Sequence, residues 1–353
     1  MIRTITLLLL IALTAACAPA AAGFETFRSD AVFDVTGVAA TDVESVVAGD
    51  TEFALDLLQL VAQGDNVFVS PLSITTALGM TAAGARGTTR EEMAAMLHES
   101  LADPGLHPAR GALLARVNEE ETVPDEAEPL TLRAVNALWV QSGYPVLPSY
   151  LDVLSASYDA PARLVDFIGD TDAAREAINR WVSEETEQRI EEMIPRGGVT
   201  DLTRLVLTNA VYFLGSWLEP FDPDATVSEP FAVTDGVVDV PFMHTAGEFT
   251  HVEGDGFQGV RLPYWGGASM LLLLPEGSPQ DLLIELEAAT LATARAEARS
   301  RPFSDLAIPR FEFASDLELV PFLRQLGMRT AFETPTREGG ADALRRMREA
   351  GVG

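Results

Sequence analysis

The sequence contains no lysine: all 24 of its fixed positive side chains are arginines, set against 53 acidic residues, for a net charge of −29. That balance excludes nucleic acid and anionic membrane surfaces as partners, because both need basic patches. It argues equally against sulfated glycosaminoglycans. A single cysteine, Cys17, excludes an intrachain disulfide. Four histidines lie too far apart for a Cys/His zinc cluster. His244 and His251, seven positions apart, read as ordinary strand residues. No G-x-S-x-G nucleophile elbow is present, and the Gly-Ser-Trp run at 215–217 lacks the second glycine. Asp222 and Asp224 flank Pro223 without an acid at EF-hand spacing, so that run reads as a solvated turn. There is no phosphate loop. Nothing points to an enzyme, a cofactor or a metal.

What is present is enough apolar sequence for a core: 47% of 353 residues, which suits one large domain better than two. The first residues carry a different signal. Arg3 precedes an apolar run from Ile5 to Ala16, too short for a spanning helix, which needs about 20 apolar residues. Small residues follow. This is the pattern of a secretory signal, and Leu-Thr-Ala-Ala-Cys resembles a bacterial lipoprotein cleavage box ending in Cys17. Ala15 and Ala16 fit that box; Thr14 stands where leucine is preferred. The expectation is a protein cleaved at 1–17, exported, and held on a membrane only through acyl chains on Cys17. A plain signal peptide releasing a free protein is the competing reading.

Residues 18–49 are small, polar and acidic and read as a flexible tether. Structure is expected from about Thr51, a candidate N-cap, with Phe53, Leu57, Leu58 and Val61 at helical spacing. Asn66–Val69 reads as a short buried strand. Ser70 before Pro71 reads as a cap with proline at the first helical position. Thr89 with Glu92 matches a capping box. Residues 130–141 and 203–217 read as buried strands, and 172–194 as one long helix with Ala174, Ile178, Trp181 and Val182 on its apolar face. Residues 257–277 read as two strands joined at Gly266-Gly267. A single helix is expected over 281–298, then a strand from Leu306 to Phe313. The mixture lacks a regular βαβ rhythm, so the fold class is α+β.

The stretch Asn-Val-Phe-Val-Ser-Pro-Leu-Ser-Ile-Thr-Thr-Ala-Leu-Gly-Met at 66–80 resembles the serpins, a family mostly of suicide-substrate protease inhibitors. The likeness continues in family order at 207–223, 242–249, 260–277 and 306–332, covering roughly residues 50–333. It implies helices packed on a large mixed sheet plus smaller sheets. It implies that a target protease of serine type, or cysteine type, cleaves an exposed loop, which inserts into the main sheet. It implies a monomer. It also assigns Ser70, Ser73 and Asn209 to the polar "shutter" that lets the sheet open, and Trp217 to the point where the loop first enters. Phe221 follows the family pattern, whereas Leu214 stands where lysine is common. Without the resemblance, Ser70 is simply a cap, Trp217 a core aromatic and Asn209 a satisfied strand residue.

The family pattern stops near Phe332. A serpin continues with a Ser-Gly turn, a strand carrying a histidine, a hinge, the reactive loop and three buried strands. Residues 334–353 match none of these, and Gly339–Arg346 is no hinge. The expected cause is a change of reading frame, since codons for Ala-Leu-Arg-Arg at 343–346 can yield Leu-Ser-Gly in a neighbouring frame; a natural tail is the alternative. The expectation is an incomplete serpin domain, inactive as an inhibitor, with two sheet edges left unpaired. The alternative is a non-inhibitory surface lipoprotein that uses the scaffold for binding.

Overall fold

The computed structural model describes residues 25–27, 29–62, 66–119, 130–233, 236–313, 315 and 317–333. Cys17 and the tail 334–353 lie outside the described residues. In chain order the elements are β1 (Glu25–Phe27), α1 (Ala40–Val61), α2 (Pro71–Gly84), α3 (Gly87–Met96), α4 (Asp103–Val117), β2 (Thr131–Gln141), α5 (Pro148–Tyr158), β3 (Ala162–Val165), α6 (Thr171–Glu185) and β4 (Leu205–Leu214). Then follow β5 (Val227–Val233), β6 (Gly236–Gly254), β7 (Phe257–Pro263), β8 (Ser269–Pro275), α7 (Pro279–Glu285), α8 (Ala288–Glu297), β9 (Arg299–Pro309) and α9 (Val320–Gln325).

Two sheets result. The first has the order β1-β3-β2-β4, with β2 parallel to β3 and antiparallel to β4. The second runs β5-β6-β7-β8, with β9 also paired to β6. β2 is near-continuously apolar because both its faces are buried. Ala134, Leu138 and Val140 meet Met80, Leu114, Leu154 and Tyr158 on the side of α2, α4 and α5. Ala137 and Trp139 meet Ile178, Trp181 and Val182 of α6 on the other side. The period-two alternation of a strand puts alternate residues into the two cores.

Several expectations are corrected. The tether is shorter than 18–49, since α1 begins at Ala40 and carries Val43 and Val46 into the core. Gly49 and Asp50, placed before the expected start at Thr51, are helical. A Cβ at Gly49 would stand 2.8 Å from the His98 carbonyl, so this glycine serves close packing rather than a turn. Residues 29–38 are docked as well: the Asp34 N–H donates to the Ala156 carbonyl of α5. Asn66–Val69 forms no strand, having no ladder partner among the described residues. α3 starts at Gly87 with Arg86 as N-cap, so Thr89 is not the cap. Glu92 instead accepts from the N–H groups of Arg329 and Thr330 at 2.9 and 2.7 Å, which holds its carboxyl below the usual range. α6 ends at Glu185, where Glu187 and Gln188 turn left-handed. The helix expected over 281–298 is two, because Leu286 leaves helical geometry to bury itself with Leu55, Val252 and Phe257. β9 runs from Arg299 to Pro309, not from Leu306 to Phe313. Just past Pro309 the Arg310 N–H extends the pairing by one bond, to the Pro241 carbonyl.

Candidate functional site: the polar centre of the main sheet

Ser70 accepts from the Ser73 N–H at 3.3 Å and caps α2, with Pro71 at the first helical position. The cap fixes the first turn, and with it Ser73. The Ser73 hydroxyl then donates to Oδ1 of Asn209, in the middle of β4. Asn209 Nδ2 donates onward to Oδ1 of Asn136 at 2.7 Å. Asn136 and Asn209 are direct cross-strand partners of β2 and β4. A polar chain therefore runs from a helix N-terminus across β4 and β2, half-buried at Ser73 and Asn209 and buried at Asn136. Buried polar groups are tolerated only when paired, and these are paired to one another.

The structure brings Ser73 and Asn209 together. Ser70 acts as the cap and does not reach the strands. Asn136 was missed. Its signal was a lone carboxamide inside the apolar run of residues 134–140, where the chain had no other reason for a polar side chain.

Trp217 stands apart from this chain, just past the end of β4. It stacks on Tyr264 at 4.2 Å with an interplanar angle of 16° and meets Phe221 edge-on at 5.9 Å. Tyr264 in turn meets Phe213 at 5.1 Å. Backbone bonds from Leu218 N–H to Pro263 and from Trp265 N–H to Ser216 tie this ladder to the β7–β8 hairpin. The hairpin turns at Gly266 and Gly267, both at positive φ (+91° and +78°), which glycine adopts without strain.

Behind α2 lies a buried ionic centre. Arg110 of α4 donates to Asp50 of α1 at 2.9 Å, and both side chains are nearly sealed from solvent. Burial raises the Asp50 carboxyl pKa, against the pull of Arg110. His107 and the Tyr158 hydroxyl share a 2.8 Å hydrogen bond beside them. Gly79 of α2 makes the room: a Cβ there would sit 3.0 Å from both Arg110 and the Tyr158 oxygen. Elsewhere, His244 pairs with Asp305 at 2.9 Å, which raises its pKa, while His251 lies against Phe303. The two histidines do not meet.

Among the described residues, β4 pairs with β2 and with no strand on its other side, and β9 pairs with β6 alone. Leu205, Phe213 and Leu214 of β4 are exposed. No group of His, Cys, Asp and Glu among the described residues is placed to hold a metal. No helix among them is long and apolar enough to cross a membrane.

A helix capped over the polar centre of a central sheet, with a second sheet beside it, is an α+β architecture seen among solved structures. Emu (Dromaius novaehollandiae) ovalbumin matches it with a TM-score of 0.74 at 27% identity, over 82% of this chain and 79% of that one. The serpin family model, described as serine protease inhibitor, matches residues 48–338. A serpin-like protein of Thermococcus kodakarensis is 38% identical over 83% of this chain and 68% of its own length. Serpin B6 of Bos taurus is 34% identical over 80% and 76%. The chain belongs to the serpin family.

Proposed function

We propose that this protein is an exported, monomeric serpin, anchored through acylated Cys17, whose 353-residue chain carries the inhibitor scaffold without the inhibitory act. Family membership supports serine-type, or cysteine-type, endopeptidases as the ancestral target class. The observation that carries the second half is the outer edge of β4. By the resemblance, the inserting loop and its neighbouring strand belong there, and among the described residues no strand occupies that edge. The residues at 334–353 resemble neither hinge nor loop. Ser73, Asn209 and Asn136 form the shutter in this reading, and Trp217 marks its upper end. The leader and the cleavage box support export and anchoring. Net charge supports the exclusion of nucleic acid and glycosaminoglycan partners.

The test is a mixture of the chain with trypsin, subtilisin and papain, boiled and run on a denaturing gel. Cleavage fragments without a covalent complex are the expected result. A band resistant to boiling, at the combined mass, overturns the reading. A second reading, a binding lipoprotein built on the same scaffold, draws on the six buried apolar clusters of the described residues. A single cooperative melt of a soluble monomer favours it.

A further inference from the structure

Among the described residues, one stretch of the β2 edge carries no strand, and it faces a cavity of about 380 Å³. β3 covers that edge only from Leu138 onward, where Leu138 stands opposite Ala162. The ladder stops for a chemical reason. The preceding residue is Pro161, which has no N–H to give, and Asp159 before it turns left-handed at φ 46°. The direction of each β2 residue follows from its bonds. Gln141 N–H reaches the Arg204 carbonyl at 2.9 Å, on the β4 side, so odd-numbered residues address β4 and even-numbered ones the other edge. Ala134 obeys this rule. Its N–H donates to Asn118 Oδ1 at 2.8 Å, and its carbonyl accepts from Asn118 Nδ2 at 3.2 Å.

The Asn118 carboxamide thus replaces the missing strand at Ala134 with a two-point bond. Asn136, two residues on, addresses the same edge. Its N–H and carbonyl have no partner among the described residues, and the residue is only 8% exposed. A buried, unpaired peptide group costs free energy and is rare. Asn136 lines the cavity with Leu114, Ala115, Val135 and Trp181, under Phe33. Asp159 and Glu185 add negative charge to the wall, beside Arg163, whose guanidinium lies over Trp139 and Trp181 at 5.6 and 5.0 Å.

We propose that this cavity binds small neutral molecules that carry a carboxamide on an apolar or aromatic body. The amide docks on the Asn136 N–H and carbonyl as Asn118 docks on Ala134. The body lies among Leu114, Ala115, Val135 and Trp181. A carboxylate in place of the amide has no N–H for the Asn136 carbonyl and meets the acidic wall. Asn136 also holds Asn209 through its side chain, so an occupied cavity steadies the polar centre of the sheet from behind.

The test uses 2-naphthamide, with 2-naphthoate and 2-acetylnaphthalene as relatives that lack the neutral amide. Titrated into the ¹⁵N-labelled 353-residue chain, 2-naphthamide shifts the Asn136 backbone amide saturably. The two relatives bind at least about tenfold more weakly, the loss of one well-placed hydrogen bond. Ala115→Trp, which fills the cavity, weakens 2-naphthamide binding at least about tenfold in a chain whose far-ultraviolet spectrum is unchanged. Three results overturn the proposal: no shift at Asn136, equal affinity for all three compounds, or unchanged binding in folded Ala115→Trp. Should that variant fail to fold, the shift map and the three affinities on the unaltered chain decide alone.

Discussion

Ser73 and Asn209, 136 positions apart in the chain, share a hydrogen bond that fastens the first turn of α2 to the middle of β4. The bond exists because Ser70 and Pro71 fix where that turn begins. It also leaves the Asn209 amide free to donate to Asn136, so one side chain serves two partners.

Replacing Asn209 removes both bonds and strands two polar groups among apolar neighbours. Asn209→Ala is predicted to destabilise the fold by about 2 kcal/mol, since the orphaned buried Asn136 carboxamide costs about 1–3 kcal/mol and the half-buried Ser73 hydroxyl adds less. Ser73→Ala costs less, about 1 kcal/mol, because Asn136 keeps its donor. Urea midpoints of the two variants measure the difference; equal losses contradict the shared role of Asn209.

His107 gives a pH signature. Burial lowers its pKa from 6.5 to about 4. Above pH 6.5 neither folded nor unfolded chain is charged there, and His107 imposes no penalty. As pH falls below 6.5 the unfolded chain takes up a proton that the folded chain refuses, so stability falls until about pH 4. The full loss is about 3 kcal/mol. His107→Gln is predicted to flatten the stability curve between those two pH values relative to the parent. Parallel curves for parent and variant contradict it.

The Asp50–Arg110 pair makes a third prediction. Arg110→Met leaves a buried carboxylate without its counterion and is predicted to cost about 3–5 kcal/mol. Asp50→Leu combined with Arg110→Met recovers most of that loss, because no charge is then left buried. Denaturant melts of the single and double variants form the cycle. A double variant worse than Arg110→Met refutes the account of this pair.

Export and anchoring are checked by growing cells that express the chain on radiolabelled palmitate. Label is predicted on the parent and absent from Cys17→Ser. Equal labelling, or none on the parent, removes the lipid anchor from the proposal.

The sequence showed the fold where apolar residues recur over long spans, and it showed the polar centre where the family likeness is dense. Ser70 carried its own physical reason, a cap before proline. Ser73 and Asn209 needed the resemblance, since nothing local links a helix turn to a strand so far along the chain. Asn136 escaped notice because its partner is set by the β2–β4 register, which no local pattern encodes. Boundaries failed where tertiary contacts decide them. Gly49 falls in the expected tether and instead lies inside α1, in close approach to the His98 carbonyl. Leu286 looked like helix and leaves it to reach the core. Glu92 looked like a capping residue and instead holds Arg329 and Thr330 from 237 and 238 positions away.

Under the proposed function, this chain keeps the serpin scaffold and does not trap a protease. Titration of subtilisin activity with increasing chain tests it directly, with the intact masses of all products read in parallel. The account predicts full protease activity at every molar ratio, together with free enzyme and cleaved fragments. A stoichiometric fall in activity, with the enzyme acyl-linked to the chain in the mass spectrum, would contradict it.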